Sequence, residues 1–186
     1  MNRSTQHMFP AWKGFTHAVP SVLVAGLLGL ALAGASEPAG ATDPNAGWHA
    51  DKPPAKAYFE RVRVHSRVSD GDEDAFVTIR SNEPSDVYVN HVVVAPLGNS
   101  GWHTHPGPSV VVVKSGTATV YEVEGTDCVQ HTYPAGTGFV DGGGTHVHLV
   151  SNVSTTETLE LYAFQIIPTG LLRVISVADP GLCPGL

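Results

Sequence analysis

Apolar and polar residues alternate along most of the chain after residue 57, in short runs that end at turn-forming residues. Eight runs are rich in Val, Ile, Thr and aromatic residues and are bounded by Gly, Pro, Asn, Asp or Ser, which is typical of strands separated by turns. The runs start at Tyr58, Asp74, Asp86, Ser109, Thr117, His146, Thr158 and Leu172. No long helical period stands out between them, so the pattern predicts an all-β sandwich or barrel.

The first 41 residues have a different pattern. Arg3 and Lys13 precede a long apolar run, VPSVLVAGLLGLALAGA, and the small residues AGA that end at Ala41 match the pattern that signal peptidase requires. We interpret 1–41 as a general-secretion signal peptide that is cleaved before Thr42, which predicts a secreted or periplasmic protein. The alternative is an uncleaved membrane anchor, because the run is only slightly shorter than the ~18–20 apolar residues that span a bilayer.

The rest of the chain is long enough for one hydrophobic core and short for two. Residues 42–56 are rich in Pro, Ala, Gly and Asp without periodicity and predict a linker, 57–178 form the predicted β domain, and 179–186 form a C-terminal tail. After the predicted cleavage, eight basic and sixteen acidic side chains remain. An acidic domain repels phosphate backbones, so we expect no nucleic-acid partner. Once the signal peptide is removed, we also expect no membrane contact.

Both cysteines, Cys128 and Cys183, lie in the part that is predicted to be exported. Exported compartments are oxidising, so we expect one disulfide that ties the tail to the loop around Cys128. In the chain-entropy model, a disulfide that closes a loop of this length stabilises the fold by roughly 4 kcal/mol. Two free thiols are the alternative.

Two pairs of histidines are each spaced one residue apart. His103 and His105 lie in GWHTHPGPSVVVVKSG, and His146 and His148 lie in GGGTHVHLVSN. Alternate side chains of a strand point to the same face, so each pair can present two imidazoles to one side. Brought together by the fold, the pairs could surround one metal ion at roughly 2.0–2.1 Å. The four valines that follow the first pair predict a buried strand, with the two histidines at its open end.

The residues around these pairs resemble the two motifs of the cupin family. The first family motif has a Gly, His-x-His, a Glu and a second Gly, and the second motif has Pro-x-Gly, a His and an Asn. The matching residues are His103, His105 and Gly116 in the first motif and Pro134, Gly136, His148 and Asn152 in the second. The resemblance spans about 87–167 and implies a double-sheet jelly-roll barrel. It also implies that His103, His105 and His148 hold one divalent metal.

The chain departs from the family pattern at three positions. Ser109 stands where the family usually has its metal-binding Glu; it keeps the parity of the histidines and should line the cavity, but a neutral hydroxyl is a poor ligand. Phe139 stands where the family often has a His, and Gly98 lies one residue closer to His103 than usual. An all-histidine site suits Fe, Zn, Cu or Ni better than Mn, which argues against a close copy of the manganese-binding germins.

Other polar residues near the motifs are candidates for the site on the basis of their parity. His146 shares the parity of His148 and is a candidate fourth ligand, proton carrier or hydrogen-bonding neighbour. His91 is a candidate for the cavity lining and His131 for the cavity mouth, although a strand histidine is often simply packed. Asp141 lies in the second motif and is interpreted as structural.

Two classes of function follow from the predicted site. In the first, the protein is an exported mononuclear metal-binding cupin that acts as a dioxygenase-like or oxidase-like oxidoreductase on a small molecule, because three protein ligands leave a coordination position open. In the second, it is a non-catalytic cupin that binds a metal or small ligand, and His146 completes a closed four-histidine site. We favour the enzyme. A homodimer is expected by analogy with cupins that pair through edge strands.

Overall fold

The computed structural model describes residues 40–186 except 53, 71 and 72. The predicted signal peptide therefore lies outside the described residues, apart from Gly40 and Ala41. Strands are the only regular elements in the described part of the chain. No helix long and apolar enough to cross a membrane is found there.

Thirteen strands are found among the described residues, which confirms the all-β prediction. They are β1 (Trp48–Ala50), β2 (Ala55–Phe59), β3 (Arg63–Asp70), β4 (Glu73–Arg80), β5 (Ser85–Val94), β6 (His103–Thr104), β7 (Ser109–Ser115), β8 (Thr117–Glu124), β9 (Asp127–Pro134), β10 (Gly138–Asp141), β11 (His148–Ser151), β12 (Leu159–Pro168) and β13 (Ile175–Ser176).

These strands form two antiparallel sheets and a separate β3–β4 hairpin. The first sheet has the order β1-β5-β12-β7-β10, with β2 also paired to β5, and the second has the order β13-β6-β11-β8-β9. Val92 and Val113 of the first sheet and Val120 and Val150 of the second belong to one buried core cluster. The two sheets therefore face each other across a shared core, as the predicted double-sheet jelly roll requires.

Strand β7 corrects the expectation that the valine run is wholly buried. Val111 and Val113 face the core, whereas Val110 and Val112 are 44% and 52% exposed. Because side chains alternate along a strand, a continuous apolar run contributes only every second residue to the core when one face of the sheet is open.

The segment 42–56, predicted as a linker, contains β1 and the start of β2. Trp48 pairs with Val94 at the end of β5. The Thr42 N–H donates to the carbonyl oxygen of Val177 at 2.8 Å, and the Thr42 hydroxyl accepts from the N–H of Trp102 at 2.6 Å. The linker interpretation is therefore corrected: a three-residue strand is too short to show periodicity, and its pairing is set by the distant β5.

Other strand boundaries also differ from the prediction. The run from Tyr58 is broken at 60–62 into β2 and β3, and the run from Leu172 contributes only the two residues of β13. Strands β9 and β10 were not predicted. Strand β10 has only four residues, and both strands contain turn-forming or charged residues; they are held as strands by their ladders with β8 and β7.

The predicted disulfide between Cys128 and Cys183 is confirmed, with a Cα–Cα distance of 5.2 Å. Cys183 is buried together with Trp102 and Leu149 in a second, smaller core cluster. The disulfide thus fixes the C-terminal tail over Trp102, the residue that immediately precedes the first histidine motif.

Candidate metal centre

A cavity of about 480 Å³ is lined by residues from both sheets. Its polar lining comes mainly from the two motifs and from the strands beside them. The segment predicted as a linker also lines it, through Asp43, Trp48 and Lys52 among others. The N-terminal segment is therefore part of the site, which the sequence analysis missed because the segment has no strand pattern.

Three histidines converge in this cavity. The ligand atoms of His103, His105 and His148 all lie within 4.8 Å of one another, and all three side chains are buried. The ring of His103 lies 4.9 Å from that of His105 and 4.3 Å from that of His148, measured between centroids. The fold thus brings together the three residues that the resemblance implied as ligands.

Backbone carbonyls fix the orientation of two of these rings. The Nδ1 atom of His103 lies 2.9 Å from the carbonyl oxygen of Gly101, and that of His105 lies 2.7 Å from the carbonyl oxygen of Arg173. A carbonyl can only accept, so each Nδ1 carries the proton and each Nε2 of the neutral ring has a lone pair; that of His105 lies 3.5 Å from Nε2 of Gln165. Metal-ligating histidines typically have this arrangement, in which one ring nitrogen is held by an outer hydrogen bond.

The electrostatics of the cavity keep the imidazoles neutral. Burial, followed by the neighbouring His148 and His105, lowers the pKa of His103 from 6.5 to about 3. Burial also lowers the pKa of His148 to about 4 and shifts the pKa of His105 downward. A neutral imidazole is the form that binds a metal, so these residues do not need to lose a proton at neutral pH to do so.

Asp141 places a buried carboxylate beside the histidines and is 2% exposed. Its Oδ1 accepts from the N–H of Gly143 at 3.0 Å and from Nδ1 of His146 at 2.9 Å. Its Oδ2 has no hydrogen-bond partner and lies 4.0 Å from Nε2 of His105. Burial raises the pKa of Asp141, but the Gly143 N–H and the nearby His148 and His146 outweigh it, and the net shift is downward. Asp141 is therefore ionised at neutral pH.

Ser109 lines the cavity as predicted and is part of a hydrogen-bonded row that was not predicted. Its hydroxyl accepts from Nε2 of Gln165 at 2.6 Å, and Oε1 of Gln165 accepts from Nη1 of Arg173 at 2.8 Å. Gln165 is the cross-strand partner of Ser109. A sequence signal for Gln165 did exist, because it shares the inward parity of Leu161 in the apolar run of β12.

His146 lies beside the three-histidine group rather than in it. The ligand atoms of His146, Asp141 and His148 lie within 4.8 Å of one another, and the side chain of His146 is 32% exposed. Its Nε2 lies 3.8 Å from Oε1 of Glu122. Nδ1 of His146 is held by Oδ1 of Asp141 and is not directed at the three-histidine group, which disfavours the closed four-histidine alternative.

His91 does not line this cavity, which corrects the sequence interpretation. Its neighbours Asn90 and Val92 face the cavity, so strand alternation turns His91 to the outer face of β5. There its Nε2 lies 2.7 Å from Oε1 of Glu160, and its ring stacks on Tyr162 at 4.8 Å. His131 on β9, a candidate for the cavity mouth, likewise does not line the cavity; its Nε2 lies 3.9 Å from Oε2 of Glu122 on β8.

The residues present fit a divalent transition metal. The cavity offers neutral imidazole nitrogens as ligands. It also contains three buried atoms without a hydrogen-bond partner: Oδ2 of Asp141, Nδ1 of His148 and Oδ1 of Asn90. Buried polar atoms without partners cost about 1–3 kcal/mol each and are uncommon in folded proteins. A ligand in the cavity would provide the missing interactions.

Two facing antiparallel sheets with both histidine motifs on the cavity side form the double-sheet jelly roll that the resemblance to cupins implied. No family model matches the chain, and no curated protein matches it.

Solved structures with a similar strand arrangement include three cupin-fold proteins. Oxalate oxidase in complex with the substrate analogue glycolate is 27% identical over 45% of this chain and 46% of that chain, with a TM-score of 0.38. Oxalate decarboxylase of Lactobacillus farciminis in a formate complex is 20% identical over 49% of this chain and 26% of that chain, with a TM-score of 0.43. Vicilin from Capsicum annuum is 12% identical over 50% of this chain and 25% of that chain, with a TM-score of 0.44. The match thus spans less than half the length of each of these proteins.

Proposed function

We propose that the protein is a mononuclear metal-dependent oxidoreductase of cupin fold, in which His103, His105 and His148 hold one divalent transition metal. The observation that carries this proposal is the group of three buried imidazoles, with ligand atoms within 4.8 Å of one another, at the wall of a cavity. A metal bound there supplies a Lewis acid and, if it is Fe or Cu, a partner for electron transfer to O₂ or a substrate.

The dimensions and lining of the cavity support a small-molecule substrate. A volume of about 480 Å³ lies within the roughly 300–1,000 Å³ typical of small-ligand sites. Apolar side chains such as Trp48 and Phe139 form much of its wall, and Arg173 and Gln165 add polar groups. A guanidinium group binds carboxylates well, so small carboxylic acids are the first substrate class to test.

A chain of side chains links the cavity to the surface and supports proton transfer. Nδ1 of His146 donates to Asp141 in the cavity, and its Nε2 lies 3.8 Å from Oε1 of Glu122; the His146 side chain itself is 32% exposed and reaches solvent. An imidazole that bridges two carboxylates can pass a proton from one ring nitrogen to the other. We assign His146 to this role, as an intermediary between the buried Asp141 carboxylate and solvent.

The alternative is a non-catalytic cupin that binds a metal or small ligand. Its closed four-histidine form is disfavoured, because His146 is turned toward Asp141 and Glu122 rather than toward the ligand atoms of His103 and His105. Three histidine ligands leave coordination positions for a substrate, which favours the enzyme.

The deciding experiment is metal analysis of the full chain after export into an oxidising compartment. Elemental mass spectrometry should find about one equivalent of Fe, Cu or Ni, which His148→Ala loses. His131→Ala is the matched control, because His131 lies outside the cavity, and it should keep the metal. O₂ consumption should then be measured with a panel of small carboxylic acids, phenols and thiols.

The outcomes separate the two functions. Metal-dependent O₂ consumption with one member of the panel supports the oxidoreductase. Zinc held without turnover of any panel member favours the binding protein. A wild-type protein that holds no metal after export and reloading would overturn both.

A further inference from the structure

We propose that Asp141, on β10, is the carboxylate ligand of the metal site. It lies on the strand next to Ser109, the residue that stands where the cupin motif usually has its Glu. This inference rests on the proposed metal site and deepens it. It changes the expected ligand set from three histidines to three histidines and one carboxylate, which would still leave coordination positions open on a six-coordinate ion.

The first support is the register of two strands. Asp141 of β10 is the direct cross-strand partner of Ser109 of β7. Directly opposed side chains share one face of a sheet, with Cβ atoms about 4.5–5.5 Å apart. Both residues are buried, and both line the cavity. A carboxylate at residue 141 therefore reaches the same region of the cavity as a longer carboxylate at residue 109 would reach from the neighbouring strand.

The second support is the state of the carboxylate oxygens. Oδ2 of Asp141 is buried and has no hydrogen-bond partner. It lies 4.0 Å from Nε2 of His105. Two donor atoms that share an ion at bond lengths of about 2.1 Å lie at most about 4.2 Å apart, so this distance is compatible with a shared ion.

The third support is that the rest of the loop holds Asp141 in place. The Gly143 N–H and His146 both donate to Oδ1, which leaves Oδ2 as the free oxygen. Gly143 has a φ of +74°, and a Cβ there would collide with the backbone of Gly107. The glycines after Asp141 therefore permit a tight turn that fixes the carboxylate against the first histidine motif.

Ser109 has a different role in this arrangement. Its hydroxyl oxygen accepts a hydrogen bond from Gln165, and Gln165 is held in turn by Arg173. Ser109 therefore belongs to the layer of hydrogen bonds around the site, and the carboxylate comes from the adjacent strand.

A carboxylate ligand alters the metal preference. Three imidazoles alone favour Zn, Cu, Ni or Fe, whereas an added carboxylate oxygen and its negative charge make the site compatible with Mn²⁺ as well. Loss of the carboxylate should therefore weaken Mn²⁺ binding more than Zn²⁺ binding, whereas a general loosening of the site should weaken both alike.

The test is calorimetric titration of the metal-free full chain with Mn²⁺ and, separately, with Zn²⁺. Asp141→Asn keeps the shape of the side chain and removes its charge. It should lower Mn²⁺ affinity by about tenfold or more, the scale seen when groups that support a metal site are removed, and Zn²⁺ affinity by less. The matched control is Asp86→Asn, because Asp86 is also a buried carboxylate but pairs with Lys56 outside the cavity, and it should leave both affinities unchanged.

A second variant protects the test against misfolding. Adding Ser109→Glu to Asp141→Asn returns a carboxylate to the opposing position, and it should restore the affinity for Mn²⁺. The proposal is overturned if Asp141→Asn binds both metals as the wild type does while His148→Ala binds neither. It is also overturned if both affinities fall equally and the second substitution restores nothing. A wild-type chain that binds neither metal would instead overturn the metal site itself.

Discussion

His148 is the direct cross-strand partner of His103, and their ring centroids lie 4.3 Å apart. One residue comes from each histidine motif, so the β6–β11 pairing is what joins the two motifs into one site. The strands that carry these residues are only two and four residues long. The local geometry of the site therefore depends on a short ladder, to which a shared metal would add a cross-link.

We expect metal binding to stabilise the folded protein. A ligand that binds only the folded state at about 1,000 times its dissociation constant raises the free energy of unfolding by about 4 kcal/mol. Thermal unfolding of the metal-free wild type should shift to higher temperature on addition of the metal found in the native protein. His148→Ala should show no such shift, and a shift of equal size in that variant would place the ion elsewhere.

We expect the metal-free protein to lose stability as the pH falls below about 6.5. Burial lowers the pKa of His103 to about 3 and that of His148 to about 4, whereas unfolded histidines titrate near 6.5. Between these values the unfolded chain binds protons that the folded chain does not, so the stabilisation present above pH 6.5 is lost progressively toward pH 3.

Urea unfolding of chelator-treated protein at pH 7 and pH 4.5 measures this effect. His148→Ala removes one of the two groups and should show a smaller loss between the two pH values. A loss as large as that of the wild type would show that other groups control the acid sensitivity.

Reduction of the disulfide should destabilise the fold strongly. Cys128 and Cys183 are separated by 55 residues, and the chain-entropy model gives about 4 kcal/mol for a loop of this size. Cys128→Ser/Cys183→Ser should have a lower urea midpoint than the oxidised wild type and should be insensitive to reductant. An unchanged midpoint would mean that the packing of the tail against Trp102 and Leu149 suffices without the covalent link.

Gly107 should not tolerate a side chain. A Cβ at this position would collide with the carbonyl oxygen of Ile166 on β12, so Gly107→Ala requires a backbone shift. Overpacking of this kind costs about 1–3 kcal/mol. Gly142→Ala is the matched control, because nothing lies near its Cβ position, and it should unfold close to the wild type. Equal unfolding temperatures for the two variants would contradict the close approach.

Asn152, which the resemblance assigned to the second motif, should act through stability. Its Nδ2 group lies within hydrogen-bonding distance of the carbonyl oxygens of Val94, Ala95 and Glu157 and thereby joins the end of β5 to the loop before β12. Asn152→Ala leaves buried carbonyls unpaired and should cost about 1–3 kcal/mol. The control is Asn82→Ala, at an exposed loop residue that accepts from Arg80. Denaturant unfolding of the two variants should differ clearly, and the Asn152 variant should still bind metal.

The sequence by itself determined the properties that depend on local pattern. The alternation of apolar and polar residues identified most strands, because the two faces of a strand repeat every two residues. The same rule put His103 and His105 on one side, and their pattern with His148 indicated a shared site. Ser109 also lines the cavity, but from β7 in the other sheet. The disulfide could be predicted because the chain has only two cysteines and both lie in the part that is predicted to be exported.

The tertiary structure decided what depends on pairing between distant strands. From the sequence pattern we interpreted Asp141 as structural. Only the register between β10 and β7 places it opposite Ser109 and beside the histidines. Only the pairing of β1 with β5 brings the apparent linker to the cavity wall. The alternation of residues along β5 does not say which of its faces is buried. Packing of the two sheets places Asn90 and Val92 at the cavity and His91 on the outer face. A period of two is a property of each strand alone, whereas register is set by packing contacts among many strands, which no single stretch of sequence contains.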